Sequence, residues 1–391
     1  MISSYNVSAY NAPQLGISAI STFRPPQQLS NDWFEAMPRK FVKHTGIQSR
    51  PVSDEDEVTQ AIRATELLVA ESRCNLSKCA AVVFTSPSFV PMTLARKHLN
   101  PNEAKQEQLS RAAWQYVDAM GIKPRRVQAT NTFCAGYARA LELVLHKINA
   151  DLNLVSDEFI LVLTSSRISR ITDYSCPTSG ALFGDLATAT LIARRDSEHY
   201  PIHFDLLDAR VDHQETNRPF FKFELKEQVP TPTRDGGKAY DSQRFVFSLD
   251  GMGIADIAPR AMAASAAEMV RETGQNPEEI EHVLPHQAGF AIVRLTEMKL
   301  RDEGFTGNVV NGMTHDIGNV SSGSIPYSLN AMWDELHGDI VCPIASVGPP
   351  GKNRVAQGCI ALRATPLHEQ KFSCHGSAST INQEQVDSLL N

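Results

Sequence analysis

Three residues in this chain are of the types, and in the settings, that carry out acyl-transfer chemistry. Cys134 stands in Asn131-Thr132-Phe133-Cys134-Ala135-Gly136-Tyr137, His286 in Leu284-Pro285-His286-Gln287-Ala288, and Asn319 in Asp316-Ile317-Gly318-Asn319-Val320-Ser321. A thiolate forms a thioester with an acyl group. A neutral histidine and an asparagine amide then donate hydrogen bonds to one carbonyl oxygen. They stabilise the enolate formed when a malonyl-type thioester loses carbon dioxide. Each residue also has a plainer reading: a buried core cysteine, a structural histidine, a Gly-Asn-Val-Ser turn. Their joint occurrence on the right kinds of element favours chemistry.

The local patterns place all three at element ends. Arg126-Val127-Gln128-Ala129 reads as a strand end, and Ala135, Ala138, Leu141 and Val144 recur at helical spacing. Cys134 therefore falls at a strand-to-helix turn, capped by Asn131 or Thr132. The helix dipole and exposed N–H groups there favour a thiolate. His286 ends a strand over 282–286, and Asn319 lies in a Gly/Ser/Asn-rich loop over 311–324.

Elsewhere, 16–23, 80–85, 158–164, 245–249, 339–348 and 356–362 read as strands, several of them continuous apolar runs expected in a sheet covered on both sides, and 182–193 reads as a Gly-Asp turn followed by a strand. Helices are expected over 31–41, 54–71, 92–120 (broken at Asn100-Pro101-Asn102), 255–273, 288–301 and 325–336. Residues 43–50 and 86–91 read as loops, and the tail after Pro366 is polar. The order strand, helix, buried strand, helix occurs twice. The reading is a pseudo-duplicated α/β protein with two buried sheets, an N-terminal half over 1–200 carrying the nucleophile and a C-terminal half over 201–391 carrying His286 and Asn319. Residues 201–241 form a strand-rich connection with a mobile loop near 230–240.

Composition bounds the alternatives. A chain of 391 residues exceeds one typical core. With 42% hydrophobic and 21% charged residues it has ordinary globular composition, and a net charge of -7 argues against broad nucleic-acid binding. Seven cysteines without a CxxC pair argue against a disulfide framework or a zinc ribbon, so no metal site is expected. No signal-peptide pattern opens the sequence and no apolar run approaches ~18 residues, which leads to the expectation of a cytoplasmic protein off the membrane.

The three motifs are those of a known family. The chain resembles the thiolase-fold condensing enzymes, specifically the β-ketoacyl-acyl-carrier-protein synthase III type. Thr45-Gly46-Ile47 with Arg50, and Leu182-Phe183-Gly184-Asp185, match further signatures, and the matches run from about residue 15 to residue 364. The resemblance implies a five-layered αβαβα fold and a homodimer, with acyl-carrier-protein or coenzyme A thioesters as substrates and no cofactor. It implies that Cys134 carries the acyl chain while His286 and Asn319 promote decarboxylation and condensation. The N–H of Cys134 and a second N–H from the Gly348–Arg354 turn, with Gly351 the candidate, would form the oxyanion hole. Phe89, Val90 and Pro91 would reach the partner's acyl pocket.

The departures are specific. Lys40 and His44 stand where the family often has Trp and Arg to hold coenzyme A. Gly289 and Ala291 replace its Asn and Arg, so carrier docking falls to Arg294, Lys299 and Arg301. Gly348-Pro349-Pro350-Gly351 replaces a triple-glycine loop, and 92–120 is long. These features point to a secondary-metabolism member. One branch joins a β-ketoacyl thioester to a second acyl thioester and closes a cyclohexanedione ring, a precursor of dialkylresorcinols or stilbenes. Three alternatives stand beside this: an acyltransferase of the same fold making an ester or amide; a non-catalytic partner subunit of a condensing heterodimer, against which the presence of Cys134 speaks; and a cysteine-based metal or redox protein, against which the isolation of Cys74, Cys79, Cys342 and Cys359 speaks.

Overall fold

The computed structural model describes residues 14–89, 101–348 and 352–367. Its strands are β1 (Leu15–Phe23), β2 (Gln28–Ser30), β3 (Ser49–Pro51), β4 (Cys79–Thr85), β5 (Arg126–Thr130), β6 (Phe159–Ser166), β7 (Leu186–Arg194), β8 (Phe204–Glu215), β9 (Phe221–Pro232), β10 (Lys238–Leu249), β11 (Ile280–Val283), β12 (Asn308–Val309), β13 (Asp339–Val347) and β14 (Arg354–Ala364). The α-helices are α1 (Phe41–Thr45), α2 (Glu57–Ser72), α3 (Pro101–Ala119), α4 (Gly136–Leu143), α5 (Asn149–Leu152), α6 (Pro177–Gly180), α7 (Gly251–Glu272), α8 (Phe290–Asp302) and α9 (Ser324–Ala331).

Ten strands form one sheet in the order β12-β11-β13-β14-β8-β1-β7-β6-β4-β5. The order repeats about the β8–β1 seam. In one half β1 pairs antiparallel with β7, β7 antiparallel with β6, β6 parallel with β4, and β4 parallel with β5. In the other, β8, β14, β13, β11 and β12 pair with the same sequence of directions. Two separate sheets were expected. Instead β1 and β8 pair through Gly16↔Asp205 and Ile17↔Phe204, because each brings an otherwise unpaired inner edge to the seam.

The apolar clusters define the layers. β4 and β6 are buried along their whole length, as strands covered on both faces must be. On one face, Ala61, Ala64 and Leu68 of α2 and Leu109 and Ala113 of α3 pack against Val82, Phe84 and Leu161. On the other, Ala138 and Leu141 of α4 and Ile325 and Leu329 of α9 pack against Val83, Ile160 and Val162. The same two helices also share a cluster with Ile340, Ile344 and Ile360 of the second half. Ala263, Ala266 and Met269 of α7 and Leu300 of α8 cover the far side of β11, β13 and β14. This gives α2/α3, half-sheet, α4/α9, half-sheet, α7/α8: the five-layered thiolase arrangement. Each large apolar side chain fully buried in these layers contributes ~1.5–3 kcal/mol.

Several local expectations are corrected. Residues 31–41 do not form one helix, because Pro38 stops it; the segment is a 3-10 turn, Asn31–Trp33, followed by α1 over residues read as the start of a loop. The expected loop near 230–240 is the tip of a long antiparallel hairpin, β9–β10, in register from Phe221↔Leu249 to Pro232↔Lys238. Helix α7 starts earlier than expected, at Gly251, because Asp250 accepts a hydrogen bond from the Gly253 N–H and caps it. The part of the 92–120 helix before Pro101 lies outside the described residues, as do Val90 and Pro91.

One tertiary tie matters for everything below. The turn Leu182–Asp185 meets the Asn319 loop: Asn319 N–H donates to Leu182 O at 2.8 Å and Gly184 N–H to Asn319 O at 3.2 Å. A Cβ on Gly184 would sit 2.1 Å from the carbonyl oxygen of Ile317, so no larger residue fits without backbone movement. Gly184→Ala should therefore destabilise the fold by ~1–3 kcal/mol, read as a lower urea midpoint at unchanged slope. An unchanged midpoint would mean the turn is not constrained as described.

Candidate active site

The chain enters the site from β5. Asn131 Oδ1 accepts from Phe133 N–H at 3.1 Å and starts a 3-10 turn, Phe133–Ala135, that runs directly into α4. Thr132 holds the N-cap position without a side-chain hydrogen bond, its carbonyl accepting from Ala135 N–H, and Asn131 supplies the side-chain acceptor. Phe133 is held at φ 47, an uncommon conformation for an aromatic residue, which turns its ring into a phenyl cluster and leaves Cys134 at the helix start. Gly136 follows because β4 and the Ser321–Gly323 turn come close there: an added Cβ would lie 2.4 Å from Thr85 Oγ1 and 3.1 Å from Ser322 Cβ.

His286 is delivered by the segment after β11, whose ladder stops at Val283, earlier than the strand over 282–286 expected from sequence. Its N–H donates to Pro343 O at 2.9 Å. Gln287 locks the segment, donating its amide N–H to Ser324 Oγ and its side chain to Pro285 O and Val310 O. Asn319 comes from the loop before α9. Its Oδ1 accepts from Ser321 N–H at 2.9 Å, which commits the acceptor and leaves Nδ2 as a donor.

Cys134, His286 and Asn319 line one cavity of about 390 Å³. Its other walls are almost wholly apolar. Phe133, Phe183, Phe221 and Phe247 form edge-on and tilted ring contacts with centroids 4.9–5.8 Å apart. Leu249, Ile254, Ala258 and Met262 extend the lining from β10 and α7, and His44, Thr45 and Gly289 stand on it from α1 and the approach to α8.

This apolar wall sets the resting charges. Burial pushes the Cys134 thiol up from its ordinary value, against hydrogen bonds from the Ser321 and Ser346 side chains that pull it down. The thiolate expected from the helix dipole is thus outweighed by desolvation. Burial alone pushes His286 down to about 4. Its Nδ1 is buried without a partner, leaving Nε2 as the nitrogen open to the cavity. A neutral thiol beside a neutral imidazole is the resting state. Asp185, lifted to about 6 by burial and pulled back by donors from Ser169 and Ser53, anchors the turn beneath Asn319.

The remaining residues picked from sequence are scattered. Phe89 does not line this cavity; it packs with Phe84 and Leu163, with the Arg170 guanidinium 6.0 Å from its ring. Val90 and Gly351 lie outside the described residues. Lys299 pairs with Asp302, and Arg301 with Glu297 and the carbonyls of Phe305 and Gly307. Arg294 is exposed on α8. Arg50 is fully buried and does not line the cavity; it donates to Leu29 O and to Asn31 Oδ1, and the Asn31 Nδ2 in turn donates to Ile47 O. Sequence reasoning missed the phenyl wall and Ser346. The alternation Phe221/Phe223 and Phe245/Phe247 was the available signal for the first.

Similarity to known proteins follows the same lines. Residues 129–208, which hold the nucleophile turn, match the family model described as 3-oxoacyl-[acyl-carrier-protein (ACP)] synthase III. A β-ketoacyl-[acyl-carrier-protein] synthase III of Halalkalibacterium halodurans is 25% identical over 340 residues, 85% of this chain and 92% of that protein. The synthase III structure from Pseudomonas aeruginosa PAO1 superposes with a TM-score of 0.65 at 18% identity, covering 90% of this chain and 100% of that one. A tetronic acid condensing enzyme superposes with a TM-score of 0.64 at 17% identity, covering 90% of this chain and 100% of that one. The fold and the similarity make this chain a thiolase-fold enzyme of the acyltransferase class. Within that class it is similar to the β-ketoacyl-ACP synthase III enzymes.

The lowered His286 value has a definite sign. Below pH 6.5 the unfolded chain takes up a proton at this residue that the folded chain refuses until about 4, so stability falls as pH drops through that window. The loss should approach ~3 kcal/mol and be absent in His286→Asn. Urea unfolding of both proteins from pH 7 to 4 checks it. Parallel curves would mean the imidazole titrates normally.

Proposed function

We propose that Cys134 accepts an acyl group as a thioester and that His286 and Asn319 then promote attack on it by a second acyl thioester, forming a carbon–carbon bond. The observation that carries this reading is that all three side chains line one apolar cavity although they come from the 3-10 turn before α4, the β11 exit and the α9 approach. The free Asn319 Nδ2 and the neutral His286 suit donation to a carbonyl or enolate oxygen. Loss of carbon dioxide from a malonyl-type extender leaves its electron pair as an enolate held by those two donors. The enolate carbon attacks the Cys134 thioester carbon, and the cysteine sulfur departs.

The phenyl and aliphatic walls favour an apolar acyl group. Substrates arrive as acyl-carrier-protein or coenzyme A thioesters, the extender being malonyl or β-ketoacyl, with the exposed Arg294 a docking contact. The enzyme works as a homodimer without a cofactor. The replaced glycine loop and the β9–β10 hairpin that walls the cavity favour a role in secondary metabolism, with condensation followed by closure of a cyclohexanedione ring. The likeness to a tetronic acid condensing enzyme is in keeping with such a role.

Intact-mass spectrometry with a panel of acyl thioesters should give an adduct on the wild-type protein and none on Cys134→Ala. His286→Ala and Asn319→Ala should keep acylation within about tenfold but lose condensation by a factor on the order of 10² or more. Acylation of Cys134→Ala at the wild-type rate would end the nucleophile reading. A product containing only an ester or amide would favour acyl transfer over condensation.

A further inference from the structure

Ser346 is the penultimate residue of β13, 5% exposed, and lines the cavity beside Cys134. Its Oγ accepts from the Cys134 N–H at 3.0 Å and lies within donating distance of two backbone carbonyls, Thr132 O at 3.1 Å and Val347 O at 3.2 Å. A serine hydroxyl therefore occupies the place to which the Cys134 N–H points. Any oxygen cradled by that N–H must displace the hydroxyl or be reached through it.

The next residues narrow the choice. Val347 is followed by Gly348-Pro349-Pro350-Gly351. Two prolines carry no N–H, so two backbone positions that could donate to an oxyanion are lost from this stretch of sequence. The hydroxyl of Ser346 is a donor already in place, and rotation about one side-chain bond moves its hydrogen from a backbone carbonyl to a new acceptor in the cavity.

We infer that Ser346 is a further catalytic residue, the side-chain oxyanion donor for acyl transfer at Cys134, with the Cys134 N–H orienting and polarising its hydroxyl. This rests on Cys134 being the nucleophile. As the Cys134 thiol gives its proton to the neutral His286 imidazole on the same cavity and its sulfur attacks the thioester carbon, the carbonyl π pair moves onto oxygen, and the Ser346 O–H turns to hydrogen-bond that oxygen. No proton is transferred to it. Collapse restores the carbonyl and expels the donor's sulfur, which takes the proton back from His286 and leaves as a thiol, and the hydroxyl returns to a backbone carbonyl. The N–H to Oγ hydrogen bond strengthens the O–H as a donor by polarisation.

The test compares two reactions of the same sulfur. Transfer from an acyl thioester develops an oxyanion; alkylation by iodoacetamide does not, and reports thiolate fraction and access alone. In Ser346→Ala, acylation measured by intact-mass spectrometry should slow by about a hundredfold, while alkylation of Cys134 changes less than about threefold and the thermal midpoint shows the fold intact. Ser346→Thr, which keeps the hydroxyl, should acylate within about tenfold of wild type. Should the alanine variant not fold, the near-isosteric pair Ser346→Thr and Ser346→Val gives the same comparison, with only the valine slow. Acylation of Ser346→Ala at or above the wild-type rate overturns the inference, because the freed Cys134 N–H would then be the donor and the hydroxyl an obstruction. Equal slowing of acylation and alkylation also overturns it, assigning Ser346 to thiol activation. A wild-type protein that is not acylated at Cys134 at all fails the underlying reading instead.

Discussion

The site depends on one set of backbone hydrogen bonds, those between the Leu182–Asp185 turn and Asn319. The turn ends at β7 in the first half of the sheet, and Asn319 belongs to the second. Neither half alone carries both the nucleophile turn and its oxygen-binding partners. Asp185 stiffens the turn from below with three accepted hydrogen bonds, and the Phe183↔Asn319 bridge continues the contact as a short parallel pairing. The absence of a Cβ at Gly184 lets the two backbones meet. Around that contact α4 and α9 sit back to back in the central layer, so that Cys134 at the start of one and Asn319 before the other face a common space.

Burial in this space acts in opposite directions on its two titratable groups. It raises the thiol and lowers the imidazole, and both changes favour neutral forms. A site working through a standing thiolate–imidazolium pair needs polar surroundings to support the charges. Here the wall is phenyl and aliphatic, and the side chains hydrogen-bonded to Cys134 among the described residues are the hydroxyls of Ser321 and Ser346. Charge in such a cavity is favoured only where a donor already points, so the placement of a few donors decides which oxygen can become negative.

Much of this was legible in the sequence, and what was missed has physical reasons. Cys134, His286 and Asn319 could be singled out because element ends are readable from periodicity and capping, and because their motifs are contiguous. Two rounds of buried strands and helices gave the pseudo-duplicated α/β reading, and the five layers came with the family resemblance. The hairpin was only half legible. Its β10 end, Phe245–Leu249, reads as a strand, but Pro230, Pro232 and Gly236–Gly237 look like a loop, and only cross-strand pairing shows that the strands extend to them. Continuity of the sheet through Gly16 and Ile17 is a contact between residues far apart in the chain, which no local pattern encodes. The thiolate expected from the helix dipole was a local inference, and it failed against a non-local quantity, the dryness of the cavity.

Ser346 belongs to that non-local class. As a sequence feature it is a small polar residue near the end of an apolar strand, where a hydroxyl more often satisfies a neighbouring carbonyl. Its meaning comes from facing the Cys134 N–H across 212 positions of chain and from preceding two prolines in the sequence. A backbone donor is fixed by its strand or helix, whereas a hydroxyl can hold a protein carbonyl in the resting state and a substrate oxygen during reaction. In an apolar cavity an unpaired donor costs ~1–3 kcal/mol, so a rotating hydroxyl lets the resting site stay satisfied. Replacing rigid glycine-loop donors with such a group exchanges preorganisation for a resting state in which neither the Cys134 N–H nor the Ser346 hydroxyl is left unpaired.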